Sequence, residues 1–289
     1  MYTKYWNLAR RPFELGPDTA FHYPAAETLS TYQKLRYLLE TRRSSVLLTG
    51  VPGVGKTHLA RLLAESGTPK RFCPVFYQSA AAMDAENFLF YLAHQAAETR
   101  LADSASTDGT FRPESTNDEE PSQYQAFLTI ERTVLAAHRQ RKRPLLIVED
   151  TDRVHDPQFW DLMKALLDQT TRFEPALSLF LIGESVPADS GFSRFEPYLE
   201  TKGGVHPFQL EETADYVLTR LALAHSDSEI FTPEALETVF QYTGGVARAI
   251  NRLCDMALLI GSVEKLEKID DATVEALHRE LFADTIPAE

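Results

Sequence analysis

The sequence predicts a three-layer α/β fold, a parallel sheet between layers of helices, followed by a helical C-terminal domain. Three observations carry this. The apolar run Val46-Leu47-Leu48-Thr49 enters a glycine-rich octet, Gly50-Val51-Pro52-Gly53-Val54-Gly55-Lys56-Thr57, which leaves as His58-Leu59-Ala60-Arg61-Leu62-Leu63-Ala64: strand, turn, helix. Two further apolar runs of strand length, Leu145–Val148 and Ala176–Ile182, are separated by helical periodicity, the alternation that builds a parallel sheet covered on both faces. Beyond Leu210 the strand pattern stops and only helical spacing remains.

Composition bounds the rest. A chain of 289 residues allows about two domains, each able to bury a core. With 44% apolar and 25% charged residues it is ordinary for a water-soluble protein. The net charge of −13 argues against a whole-surface affinity for nucleic acid or anionic membrane. The two cysteines, Cys73 and Cys254, lie in apolar segments and read as buried free thiols of a reducing compartment. No stretch approaches the ~18 apolar residues of a membrane span, and the N-terminus lacks a leader-like apolar core. The expectation is a cytoplasmic protein without a membrane span.

In chain order, Tyr5-Trp6-Asn7-Leu8-Ala9-Arg10-Arg11-Pro12-Phe13 is apolar and proline-interrupted, which predicts an extended arm. Leu29, Tyr32, Leu35, Leu38 and Leu39 then place a helix over 26–41, ahead of the strand Ser45–Thr49. A second strand covers Pro74–Gln78, and Asp84 caps a helix over 85–100. From about 103 to 122 the chain is acidic and nearly free of apolar residues, the composition of a disordered surface insert. A helix over 124–138 ends in Arg139-Gln140-Arg141-Lys142-Arg143, cations that suit a helix C-terminus better than a nucleic-acid contact. After the strand Leu145–Val148 come a helix over 156–170, the strand Ala176–Ile182 and a short fifth strand, Val205–Phe208. Helices follow: one with Ala214, Val217, Leu218 and Leu221; one opened by Thr232-Pro233 and stopped by Gly244-Gly245; then 246–260 and 271–281. The boundary falls at 208/209, giving a core over 1–208 and a helical domain over 209–289.

The octet has the spacing G-x-x-x-x-G-K-[ST] of a phosphate-binding loop. Its glycines let successive N–H groups turn inward as an anion nest, and the helix dipole adds to that field. The nucleotide-binding set is Gly50, Val51, Pro52, Gly53, Val54, Gly55, Lys56, Thr57 and His58. Lys56 reaches the β- and γ-phosphates, and the Thr57 hydroxyl ligates Mg²⁺. The strand Leu145–Val148 ends in Glu149-Asp150. By position Glu149 contacts Mg²⁺, directly or through water, and Asp150 orients or deprotonates the attacking water. The usual order in such ATPases is aspartate then glutamate, so a shift by one residue, with Asp150 at the metal and Thr151 after it, stays open. Glu184 or Ser185, at the end of the next strand, stands where a γ-phosphate contact would be.

These residues, together with Tyr5-Trp6-Asn7-Leu8, Arg11-Pro12-Phe13, Pro17-Asp18, Leu181-Ile182-Gly183 and Gly244-Gly245-Val246-Ala247-Arg248-Ala249-Ile250-Asn251-Arg252-Leu253-Cys254-Asp255, resemble the AAA-type ATPases called general secretion pathway protein A. The resemblance covers nearly the whole chain outside the acidic insert. It implies a P-loop core of AAA+ type with a helical lid, ATP as the bound nucleotide, hydrolysis, self-assembly into a homo-oligomer on ATP binding, and work on a protein partner in secretion or surface-polymer export. It also makes Arg248 the lid arginine that reaches the γ-phosphate. Larger members of that family carry a membrane span and a periplasmic wall-binding domain, which residues 1–289 do not encode. Where an arginine usually serves the neighbouring subunit's nucleotide, only Lys202 or the earlier Arg194 is available, and lysine lacks arginine's planar fork. Two other functions stand beside the secretion ATPase: a nucleotide-gated scaffold with little hydrolysis, favoured by the reversed Glu149-Asp150 pair, and an ATPase assisting a DNA recombinase through Arg139–Arg143.

Overall fold

The computed structural model describes residues 2–14, 23, 25–41, 45–65, 72–79, 83–104, 122–168, 170–171, 174–175, 177–226 and 229–282. The chain divides into two compact units: Thr31–Gly50 with Leu59–Gly204, and Met1–Ser30 with Val51–His58 and Val205–Glu289.

The first unit holds five parallel strands in the order β2-β3-β6-β1-β7. They are β1 (Ser45–Thr49), β2 (Phe72–Ser79), β3 (Arg143–Glu149), β6 (Ser178–Gly183) and β7 (Thr201–Gly204), while β4 (Thr170–Thr171) and β5 (Glu174–Pro175) form a separate antiparallel pair. Every residue of β6 is buried, as are the first six of β3 and the first four of β1. Burial that does not alternate means that both faces of the sheet are covered, as the unbroken apolar runs require. Because all five strands run the same way, β1, β3 and β6 deliver Gly50, Asp150 and Glu184 to one edge of the sheet, with β6 between the other two.

Helices α4 (Ala85–Ser104), α5 (Gln123–Arg139), α6 (Pro157–Asp168) and α7 (Ser190–Phe195) belong to this unit. Asp84 caps α4 as its residue type predicts, accepting the Asn87 N–H at 2.8 Å. The core beside the sheet is aromatic: Phe88 meets Phe159, Phe159 meets Trp160 and Trp160 meets Phe192 edge to face, with centroids 5.0–5.2 Å apart. Asp189 joins this core to α7. One carboxylate oxygen accepts the Trp160 indole N–H at 3.0 Å and the other caps α7 through the Phe192 N–H at 2.9 Å. Nothing in the sequence's periodicity announces a helix as short as α7. The acidic insert, 105–121 in particular, lies outside the described residues.

The fifth strand differs from expectation. It is Thr201–Gly204, not Val205–Phe208. Pro207 has no N–H to give a ladder, whereas Gly203 fits where a Cβ would stand 3.2 Å from both the Leu48 and Thr31 side chains. Gly203 packs closely on β1 within this pairing segment.

The second unit contains α8 (Leu210–Leu223), α9 (Pro233–Thr243), α10 (Ala247–Glu264) and α11 (Asp271–Phe282). Thr232 caps α9 through the Ala235 N–H at 3.2 Å with Pro233 in the first turn, and Gly244 ends it at φ 55°. The N-terminal arm packs in this unit rather than among the sheet residues of the 1–208 span, and a four-residue helix, α1 (Tyr2–Tyr5), leads into it. Contacts with distant residues anchor the arm there. The Trp6 indole donates to the Leu258 carbonyl at 2.8 Å, and its ring lies where a side chain at Gly261 would come within 2.7 Å. The buried Arg220 donates from Nε to the Pro12 carbonyl and from Nη1 to the Tyr216 hydroxyl at 2.9 Å, which itself donates to Asn251 at 2.9 Å. Cys254 is a buried free thiol whose pKa is pushed up by that burial. Among the described residues, no helix is long and apolar enough to cross a membrane.

Candidate functional site

The glycine octet forms a turn between β1 and α3 (Lys56–Glu65), with Lys56 and Thr57 in the first turn of the helix. Gly53 and Gly55 have φ values of 87° and 106°. At Gly55 no atom stands within 4 Å of a would-be Cβ, so the demand there is conformational; at Gly53 it is also steric. Thr57 and His58 are half-buried, Val54 is buried, and Val51 and Pro52 are exposed. The Lys56 ammonium donates to the Val51 carbonyl at 3.2 Å, curling its stem over the loop. A loop of positive-φ glycines running into a helix N-terminus, with an ammonium folded over it, fits a phosphate chain. Among the described residues no cluster of three or more His, Cys, Asp or Glu side chains is placed to hold a metal.

At the tip of β3, Glu149 is the last strand residue, opposite Ser79 of β2, and is half-buried. Asp150 then turns the chain with φ 57° and ψ 33° into a short 3-10 turn, Thr151–Arg153. Aspartate enters this left-handed region more readily than glutamate. That is a physical reason for the Glu-then-Asp order. Ser79 donates its hydroxyl to Asp150 Oδ2 at 2.6 Å, a contact across the sheet that the sequence reading missed. Only the register of β2 against β3 reveals it. Thr151 is fully buried, with its hydroxyl donated to the Ile182 carbonyl at 3.2 Å.

The end of β6 is stapled to this turn. Asp152 Oδ1 accepts the Glu184 N–H at 2.8 Å, and Arg153 pairs with the Glu184 carboxylate at 3.2 Å. Gly50 donates its N–H to the Glu184 carbonyl at 3.3 Å. Glu184 thus braces the edge of the sheet; Ser185 is exposed beside it.

Arg248 is exposed in the first turn of α10, and its backbone N–H donates to the Gly53 carbonyl at 3.0 Å. The loop and Arg248 therefore meet within one unit, while Glu149, Asp150 and Ser79 meet within the other. Of the two cations weighed for a neighbouring subunit's nucleotide, Arg194 stands 3.6 Å from Asp161 and Lys202 pairs with Glu196. The basic run at the end of α5 loses one member to the core: Arg143 is buried and donates to the Leu177 carbonyl at 3.4 Å.

Residues 30–182 match the family model described as AAA ATPase domain. The chain is similar to general secretion pathway protein A of Aeromonas hydrophila, at 24% identity over 93% of this chain and 46% of that one; it spans about half the length of that relative. In fold it is similar to the Aeropyrum pernix ORC1 protein in complex with DNA, with a TM-score of 0.62, 18% identity, and coverage of 96% of this chain and 73% of that one. It is also similar to the Aeropyrum pernix ORC2 protein in its ADPNP-ADP complexes, with a TM-score of 0.63, 15% identity, and coverage of 94% and 71%.

Proposed function

Because the chain belongs to the AAA ATPase domain family, we propose that it binds ATP with Mg²⁺ in the cytoplasm, hydrolyses the γ-phosphate bond, and passes its nucleotide state to a protein partner in secretion or surface-polymer export. The observation that carries this is the loop itself, with Gly53 and Gly55 at positive φ and Lys56 and Thr57 opening α3. In this reading Lys56 exchanges the neutral Val51 carbonyl for β- and γ-phosphate oxygens, a stronger charge-assisted contact. Thr57 and Glu149 hold Mg²⁺, which when bound neutralises charge on the phosphates. Asp150 offers one carboxylate oxygen to the attacking water while Ser79 anchors the other. Arg248 in the helical segment 209–289, the lid, reads the γ-phosphate.

The secretion partner rests on likeness to the Aeromonas hydrophila protein, and homo-oligomerisation on ATP binding rests on the family. A DNA partner is a weaker reading, because the net charge is −13 and Arg143 of the basic run is buried. The nucleotide-gated scaffold keeps one support: Arg194 and Lys202, the two cations weighed for a neighbour's nucleotide, each stand beside a carboxylate of their own chain. Phosphate release measured on size-exclusion fractions, with and without Mg²⁺-ATP, separates the two. The ATPase predicts turnover that Asp150→Asn abolishes while ATP binding survives; the scaffold predicts an ATP-dependent size shift without phosphate release. Undiminished turnover in Asp150→Asn removes Asp150 from its role.

A further inference from the structure

The geometry points to Gly53 as a positioning residue for Arg248, the phosphate loop's own carbonyl acting as the cap of the lid helix. The first N–H groups of any helix have no acceptor within it. At α10 the N-cap is Val246, which makes no side-chain cap, whereas serine, threonine, aspartate or asparagine is usual there. The Arg248 N–H is satisfied from outside the helix, by the Gly53 carbonyl at 3.0 Å. This approach needs glycine. At φ 87° a Cβ on residue 53 would stand 2.8 Å from Arg248 Cβ and 3.2 Å from Val246 Cγ1. The first of these atoms is fixed by the helix backbone and cannot swing aside.

Residue 53 therefore belongs to two structures at once, the loop that would enclose phosphate and the first turn of α10. The Arg248 guanidinium hangs from the residue whose N–H is held, so a movement of the loop relocates the charge. A cation in the first turn opposes the helix dipole and does not stabilise the helix; it gains from an anion beside the loop. This inference rests on the phosphate-reading role given to Arg248 above.

The test is binding of a non-hydrolysable ATP analogue and of ADP, each with Mg²⁺, to the full chain and to Gly53→Ala, Arg248→Ala and the double variant. Arg248→Ala is expected to lower the ratio of analogue to ADP affinity about tenfold, as loss of a charge-assisted contact to the γ-phosphate does. Gly53→Ala lowers that ratio about fivefold, the worth of one hydrogen bond, and has no further effect once Arg248 is alanine. A Gly53→Ala effect that persists in the double variant, or falls equally on ADP, means loop distortion and overturns the positioning role alone. An unchanged ratio in Arg248→Ala overturns the phosphate-reading role and this inference with it. If Gly53→Ala fails to fold, amide hydrogen exchange of the wild-type chain, followed residue by residue by NMR, decides. The Arg248 N–H is expected to be protected at least tenfold despite lacking an acceptor in its own helix, and exchange at the unprotected rate overturns the inference.

Discussion

Replacing each glycine of the Gly244-Gly245 turn by alanine separates conformational from steric demand. Both residues have positive φ, 55° and 74°. At Gly244 nothing stands within 4 Å of an added Cβ, so Gly244→Ala carries only the left-handed penalty, about 1 kcal/mol. At Gly245 the added Cβ would lie 1.9 Å from the Phe208 carbonyl oxygen and 2.8 Å from its carbon. Restoring a roughly 3 Å approach displaces backbone by more than 1 Å. That movement breaks the 2.9 Å bond from the Phe208 N–H to the Gly245 carbonyl, worth about 1 kcal/mol. It also disturbs the Phe208 ring against Tyr216 and Tyr23, at 4.9 and 5.6 Å, worth about 0.5–1.5 kcal/mol per pair. Gly245→Ala is therefore expected to cost roughly 3–5 kcal/mol. The chain has two tryptophans, Trp6 in the helical unit and Trp160 in the sheet unit. In a Trp160→Phe background, urea unfolding followed by Trp6 fluorescence reports the helical unit. If Gly245→Ala unfolds within about 1 kcal/mol of Gly244→Ala, the close packing of this turn on Phe208 is wrong.

Two more outcomes follow. Ser79→Ala frees Asp150 Oδ2 and should lower kcat for ATP about tenfold through lost orientation of the carboxylate, with KM changed less than about twofold; steady-state phosphate release with unchanged or faster turnover would contradict the positioning of Asp150. Asp270 caps α11 through the Thr273 hydroxyl and N–H, at 2.6 and 2.9 Å, and those bonds hold its carboxyl below its ordinary pKa. Its contribution is therefore fully present above the unfolded carboxyl's pKa and is lost as pH falls through the lower folded value. Asp270→Ala should cost about 0.5–1 kcal/mol at pH 7 for this exposed cap, and the gap to wild type in urea melts should close below about pH 4.

Much of the fold follows from local pattern. The continuous apolar runs over Leu145–Val148 and Ala176–Ile182 become strands buried on both faces because no polar residue interrupts them. Thr232-Pro233 and Gly244 bound α9 because an N-cap hydroxyl, a fixed φ and a left-handed glycine are local requirements. What escaped the sequence depends on contacts between distant segments. The edge strand is Thr201–Gly204, where Gly203 packs tightly beside the Leu48 and Thr31 side chains, a contact that composition cannot announce. The arm follows the helical unit because Trp6 meets Leu258 and Pro12 meets Arg220, each across more than two hundred residues. At the site, the octet and the Glu149-Asp150 pair were legible as spacing. Ser79 was not, because a lone serine gains meaning only from the register that places β2 against β3. The reversed acidic order, puzzling as sequence, has a backbone reason in the positive φ of Asp150.

In the proposed site the N–H groups of the Val51–Thr57 loop, Pro52 having none, and the Lys56 ammonium enclose the phosphates of Mg²⁺-ATP. Isothermal titration of Mg²⁺-ATP into the full chain and into Lys56→Ala tests it most directly. Wild type is expected to give saturable heat with about one site per chain, and the variant an affinity weakened at least about a hundredfold, the loss of a charge-assisted contact of about 3 kcal/mol. No heat of binding to well-folded wild-type protein, or equal affinity in both, would contradict it.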